Sequence, residues 1–123
     1  MILVDTSVWI DHLHKAIPRL AQALDHEEVL THPFIIGELA CGEIRKRREF
    51  LDLLSMLPSG AVATNEETLY FIEHHRLMGK GLSYIDAHLL ASATLTETTQ
   101  LWTSDKRLAE IAAKLRLGFQ PHS

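Results

Sequence analysis

A chain of 123 residues holds one core, because two cores of half that length would each be marginal. Hydrophobic residues at 46% and charged residues at 23% exclude intrinsic disorder and a fibrous repeat, and the formal net charge of −4 excludes bulk attraction to nucleic acid or an anionic membrane. A polyanionic ligand would therefore need a local basic patch or a bound cation. No apolar run nears the roughly 18 residues that span a bilayer, and Asp5 interrupts Met1 to Val4 before a signal-peptide core can form. Cys41 is the only cysteine, which excludes an intrachain disulfide and a thiolate zinc cluster and fits a reducing compartment. The reading is a soluble, unprocessed, cytoplasmic single domain over residues 1–123, with no membrane partner.

In chain order, Met1 to Val4 reads as a buried strand, and Asp5-Thr6-Ser7 as the capping residues of a helix that continues through Val8, Trp9, Ile10 and Leu13. Pro18 opens a second helix with Leu20, Ala21 and Leu24 at helical spacing. Val29 to Thr31 is a short strand or a link. Pro33 then starts an apolar helical segment, Phe34, Ile35, Leu39, Ala40 and Cys41, around one acid, Glu38. A helix is predicted from Glu43 to Leu57, basic at its start and ended by Pro58-Ser59-Gly60. Ala61 to Ala63 reads as a minor strand, and Thr64-Asn65-Glu66-Glu67 as a capping box for a helix reaching Met78. Ser83-Tyr84-Ile85-Asp86 opens another helix after Gly79-Lys80-Gly81. Thr99 to Thr103 can form a strand, Ser104-Asp105 caps the last helix, and Leu117 to Phe119 is a final short strand. Short strands alternating with helices predict the α/β class: a parallel sheet of about four or five short strands with helices on both faces. Ligands of such sheets bind beyond the carboxyl ends of the strands, where Asp5 and Asp105 fall.

Four acids stand in unusual places. Leu82, Leu89, Leu90 and Ala93 share a helical face with Asp86, and Phe34, Ile35 and Cys41 flank Glu38, so both carboxylates are expected on inward faces. An ionised carboxylate there costs several kcal/mol, roughly, unless hydrogen-bonded, paired or bound to metal. Bland readings exist for each. Asp5 and Asp105 can simply cap helices, Ser83 and Asp86 form a variant capping box, and Glu38 can pair with an Arg or Lys. Capping does not explain the four together. Carboxylates converging on one sheet edge repel and take up protons unless a cation holds them, and oxygen-only ligands favour Mg²⁺ or Mn²⁺ over zinc. Such a centre can bind a phosphate oxygen and lower the pKa of an attacking water.

The opening ILVDTSVWID, Glu38-Leu39 followed by Gly42, the GLSYIDAHLLASA segment and the late LWTSDKRL resemble the PIN-domain nucleases, specifically the small VapC-type toxins of toxin–antitoxin pairs. The likeness runs over nearly the whole chain. It implies a PIN-like sheet, a metal-dependent endoribonuclease using Mg²⁺ or Mn²⁺, a homodimer, and a VapB-type antitoxin whose C-terminal segment covers the active-site groove. The family's acidic quartet maps onto Asp5, Glu38, Asp86 and Asp105 as catalytic and metal-holding residues, and Ser7 and Thr103 match its accessory hydroxyl positions. Arg45, Lys46, Arg47 and Arg48, predicted to fan around a helix start, are candidate contacts to RNA or antitoxin, as are Lys80, Lys106 and Arg107. The eight histidines do not make a zinc site by spacing: His12 and His14, like His74 and His75, diverge on a helix. Trp9 and Tyr84 read as packing or interface residues and not as base-stacking platforms, since no second aromatic accompanies either in its segment. Two rival functions remain: a haloacid-dehalogenase-type phosphatase, which wants a second acid where Ser7 stands, and a noncatalytic PIN-like binding module.

Overall fold

The computed structural model describes residues 1–121. Strand β1 (Ile2–Val4) lies at the centre of a parallel sheet, with β2 (Val29–Leu30) on one side and β3 (Gln100–Trp102) on the other. Ile2 pairs with both Val29 and Gln100, and Val4 pairs with Trp102. All three residues of β1 are buried. Leu3 and Val4 point to opposite faces and each is 0% exposed, so helices cover the sheet on both sides.

Seven helices occur among the described residues: α1 (Thr6–His14), α2 (Pro18–Asp25), α3 (Pro33–Ala40), α4 (Arg47–Met56), α5 (Asn65–His75), α6 (Tyr84–Leu95) and α7 (Lys106–Lys114). The α/β class holds, with three strands in place of the four or five expected. The missing two shrink to single bridges, Thr31 with Ser59 and Leu101 with Gly118. Thr31 spends both backbone groups on Pro58 and Gly60, and the N–H of Ala61 goes to the Thr96 hydroxyl, so no ladder continues into Ala61 to Ala63.

The basic segment also differs from expectation. Helix α4 starts at Arg47, not Glu43, and Lys46 before it is left-handed (φ 53°). The Arg47 guanidinium reaches back to the carbonyl of Ala40, at distances of 3.1 and 2.8 Å, and closes the carboxyl end of α3. Arg45 and Lys46 therefore sit in the connection between α3 and α4, and the four cations do not fan around one helix start. Cys41, at the end of α3, is exposed.

Helix α6 is the hydrophobic axis of the fold. Ala87 through Ala93 are all buried, and Leu89 and Leu90 join Leu3, Val4, Leu20, Ile35, Leu101 and Leu108 in one core. Its amino end, being tied to this core, is a rigid place from which to project a polar side chain. Among the described residues, no helix is long and apolar enough to cross a membrane.

Candidate active site

The carboxyl end of β1 delivers Asp5, which is buried and caps α1 by accepting the N–H of Thr6 on Oδ1 at 2.8 Å. Its Oδ2 accepts two hydroxyls, Ser7 at 2.8 Å and Thr103 at 2.7 Å. The backbone N–H of Asp5 donates to the Trp102 carbonyl, so the ends of β1 and β3 are locked together. Thr103, the first residue past β3, also accepts the N–H of Asp105 at 3.1 Å. Asp105 caps α7 through the N–H of Leu108. The two hydroxyls picked out in the sequence thus lie on Asp5 itself.

Asp86 forms the expected capping box with Ser83: its Oδ2 accepts the Ser83 N–H at 3.0 Å while its own N–H donates to Ser83 Oγ at 3.1 Å. The carboxyl is half-buried, and its pKa is raised. Desolvation is the leading cause, the carboxylates of Asp5 and Asp105 add to it, and the hydrogen bonds from Ser83 oppose it. The charges of Asp5 and Asp105 therefore reach Asp86 at the end of the sheet.

Glu38 departs from its expected inward position: it is exposed. On α3 the buried residues are Ile35 and Leu39, so the Phe34–Glu38–Cys41 strip lies at the edge of the helix and not on its inner face. Glu38 Oε1 accepts the Thr6 hydroxyl at 2.8 Å, which joins it to the same helix end as Asp5. Among the described residues, no cation pairs with any of the four acids. Among the described residues the one ion pair is between His26 and Glu28, at 3.9 Å, so the Arg or Lys partner considered for Glu38 is not there.

Asp5, Asp86 and Asp105 each cap a helix, and the charges of Asp5 and Asp105 also act on Asp86. Among the described residues, no three His, Cys, Asp or Glu side chains draw close enough to form a ready-made metal cage. An all-oxygen donor set, mutually repelling and without a basic partner, fits a hard cation that keeps several waters and takes only a few direct carboxylates. It does not fit zinc, which prefers four close nitrogen or sulfur ligands.

The candidate basic contacts divide. Arg45 shares a surface groove with Glu38, Ile10, Leu13 and His14. Arg47 is spent on Ala40, which makes it structural. Arg107 lies against Gly81 (φ +78°), where an added Cβ would meet its guanidinium at 2.5 Å, so it ties α7 to the loop before α6. Arg48, Lys80 and Lys106 are exposed. The Tyr84 ring meets that of His88 on the same helix at 4.6 Å, and His88 meets Phe34 of α3 at 4.6 Å. Thr6 and the pair Ser104–Asp11, whose side chains bond at 2.8 Å, are site-region residues that the sequence reading missed. The only signal available was their adjacency to Asp5 and Asp105.

Residues 2–114 match the PIN domain family. The chain belongs to the PIN-domain family. Two relatives named Ribonuclease VapC32, from Mycobacterium tuberculosis strains CDC 1551 and H37Rv, are each 47% identical to this PIN domain over 114 residues, 93% of the chain and 92% of theirs. The VapC-type resemblance is thereby supported over 93% of the chain.

Proposed function

We propose that this PIN domain is a Mg²⁺- or Mn²⁺-dependent endoribonuclease, the toxin of a VapB-type antitoxin, acting as a cytoplasmic homodimer. The observation that carries the reading is the 47% identity, across 93% of the chain, to relatives named as VapC ribonucleases. Asp5, Glu38, Asp86 and Asp105 are the residues that would hold the ion. When bound, it would lower the pKa of an attacking water and offset charge developing on the phosphodiester. Ser7 and Thr103 donate to one Asp5 oxygen, which fixes that carboxylate in orientation. Arg45 and Lys106 would meet substrate phosphates or acidic antitoxin side chains. Exposed Ile10 and Leu13 on α1 and Leu53 and Met56 on α4 offer apolar surface to a second copy or to the antitoxin.

The test is cleavage-site mapping on total cellular RNA with antitoxin-free protein. Discrete cuts are expected with Mg²⁺ or Mn²⁺ and none after chelation; cleavage that survives EDTA refutes the metal-dependent reading. Hydrolysis of a small phosphomonoester with RNA untouched would favour the phosphatase. That rival is already disfavoured, since Ser7 occupies its second-acid position and donates to Asp5. Inactivity on every phosphate substrate would favour the binding module.

A further inference from the structure

Glu38 is the odd member of the four acids. It is exposed, it sits near the carboxyl end of α3 where the helix dipole disfavours negative charge, and it has no cationic partner among the described residues. Unlike the other three it caps nothing. A long glutamate left free samples many rotamers, and fixing it costs side-chain entropy. Its one hydrogen bond comes from Thr6 Oγ1, 32 residues away in the chain, at 2.8 Å.

Thr6 is unusually placed to do this. It is the first residue of α1, so its backbone N–H already donates to Asp5 Oδ1 at 2.8 Å while its hydroxyl donates to Glu38. One residue therefore holds two carboxylates through two donors. Both bonds lie at the amino end of α1, where the partial positive charge of the helix favours anions.

We infer that Thr6 is a positioning residue that fixes the Glu38 side chain against Asp5, setting the separation of these two carboxylates before any cation arrives. The inference rests on the metal-holding role proposed above only for its consequence, not for the tether itself. Its loss should weaken divalent-ion binding by about tenfold, the lower range for removal of an outer partner of a metal ligand.

Two measurements on wild type, Thr6→Val and Thr6→Ser test it. The first is metal-free: three-bond NMR couplings of Glu38 report whether its side chain occupies one rotamer. One rotamer is expected in wild type and Thr6→Ser, and averaging in Thr6→Val, with the Asp5 bond to the residue 6 N–H retained in all three. Averaging in wild type, or one rotamer in Thr6→Val, overturns the inference. Averaging in Thr6→Ser overturns it too, because packing of the methyl would then be the cause. The second is Mn²⁺ titration by calorimetry, with Glu38→Gln alongside. Weaker binding in Thr6→Val and Glu38→Gln, with recovery in Thr6→Ser, supports the consequence. Equal binding in all four proteins removes Glu38 from the metal site and overturns the proposed ligand set, while the rotamer result still decides the tether.

Discussion

Asp5 accepts one N–H and two hydroxyls, more bonds than any other acid of the site, and it does so while buried. Asparagine has the same shape but only one accepting oxygen, so Asp5→Asn turns an amide toward donors that need an acceptor. RNA cleavage is expected to fall by about a hundredfold or more, on the scale seen when a charge-stabilising group is removed. Single-turnover cleavage of a mapped RNA site checks this, and retention of near wild-type rate would remove Asp5 from the chemistry. At this scale much of the site was legible. Asp5, Ser7, Thr103 and Asp105 follow strands or precede helices, and local sequence reports such positions well. Glu38 was selected for a burial it does not have: Ile35 and Leu39 take the inner face of α3. Thr6 escaped notice because its partner lies 32 residues away, and no local rule connects them.

Among the elements, α6 is where a capping role can be tested apart from a chemical one. Ser83 and Asp86 each support the same helix start. Replacing Ser83 with Ala removes the side-chain acceptor for the Asp86 N–H and should cost about 1 kcal/mol in urea unfolding, the usual penalty for a lost cap. Asp86→Asn keeps an oxygen for the Ser83 N–H, so it should unfold within about 0.5 kcal/mol of wild type while losing RNA cleavage. If instead the two variants lose stability alike and Asp86→Asn still cuts RNA, the carboxylate is a cap and nothing more. The capping boxes at Thr64 and Ser83 were readable because all their partners lie within four residues. The start of α4 was not. It depends on Arg47 reaching the Ala40 carbonyl across a turn, and on Lys46 adopting a left-handed backbone that its sequence does not advertise. The strand expected at Ala61 to Ala63 is lost for a related reason, since the Thr96 hydroxyl takes the Ala61 N–H, while Leu117 to Phe119 keeps its pairing to β3 only at Leu101.

For the molecule as a whole, acid sensitivity follows from histidines folded in their neutral form. His32 is fully buried and caps α3, with Nδ1 accepting the Phe34 N–H at 3.0 Å. Burial, helped by His88, lowers its pKa from 6.5 to about 4. The unfolded chain therefore binds a proton that the folded chain refuses between pH 6.5 and about 4. Stability is full above that window and falls through it, by at most about 1.4 kcal/mol per pH unit from this residue. His12, His75 and His88 are also lowered by burial and act in the same direction. Asp86 acts in the opposite one, because its raised pKa means that acid relieves a strained charge. Urea midpoints should drop from pH 7.5 to pH 5, and His32→Asn, which keeps a capping side chain, should flatten part of that drop. An unchanged slope in the variant would mean that His32 is not the group taking up the proton.

The lone thiol has a practical consequence. Cys41 is exposed, ends the helix that carries Glu38, and has no second cysteine to compete with it. A nitroxide or fluorophore attached there needs no background mutations and would stand three positions from that glutamate, beside the groove it shares with Arg45. Paramagnetic broadening from this single native handle could report the arrival of a divalent ion, an oligonucleotide or an inhibitor segment in real time, each read from the same labelled sample.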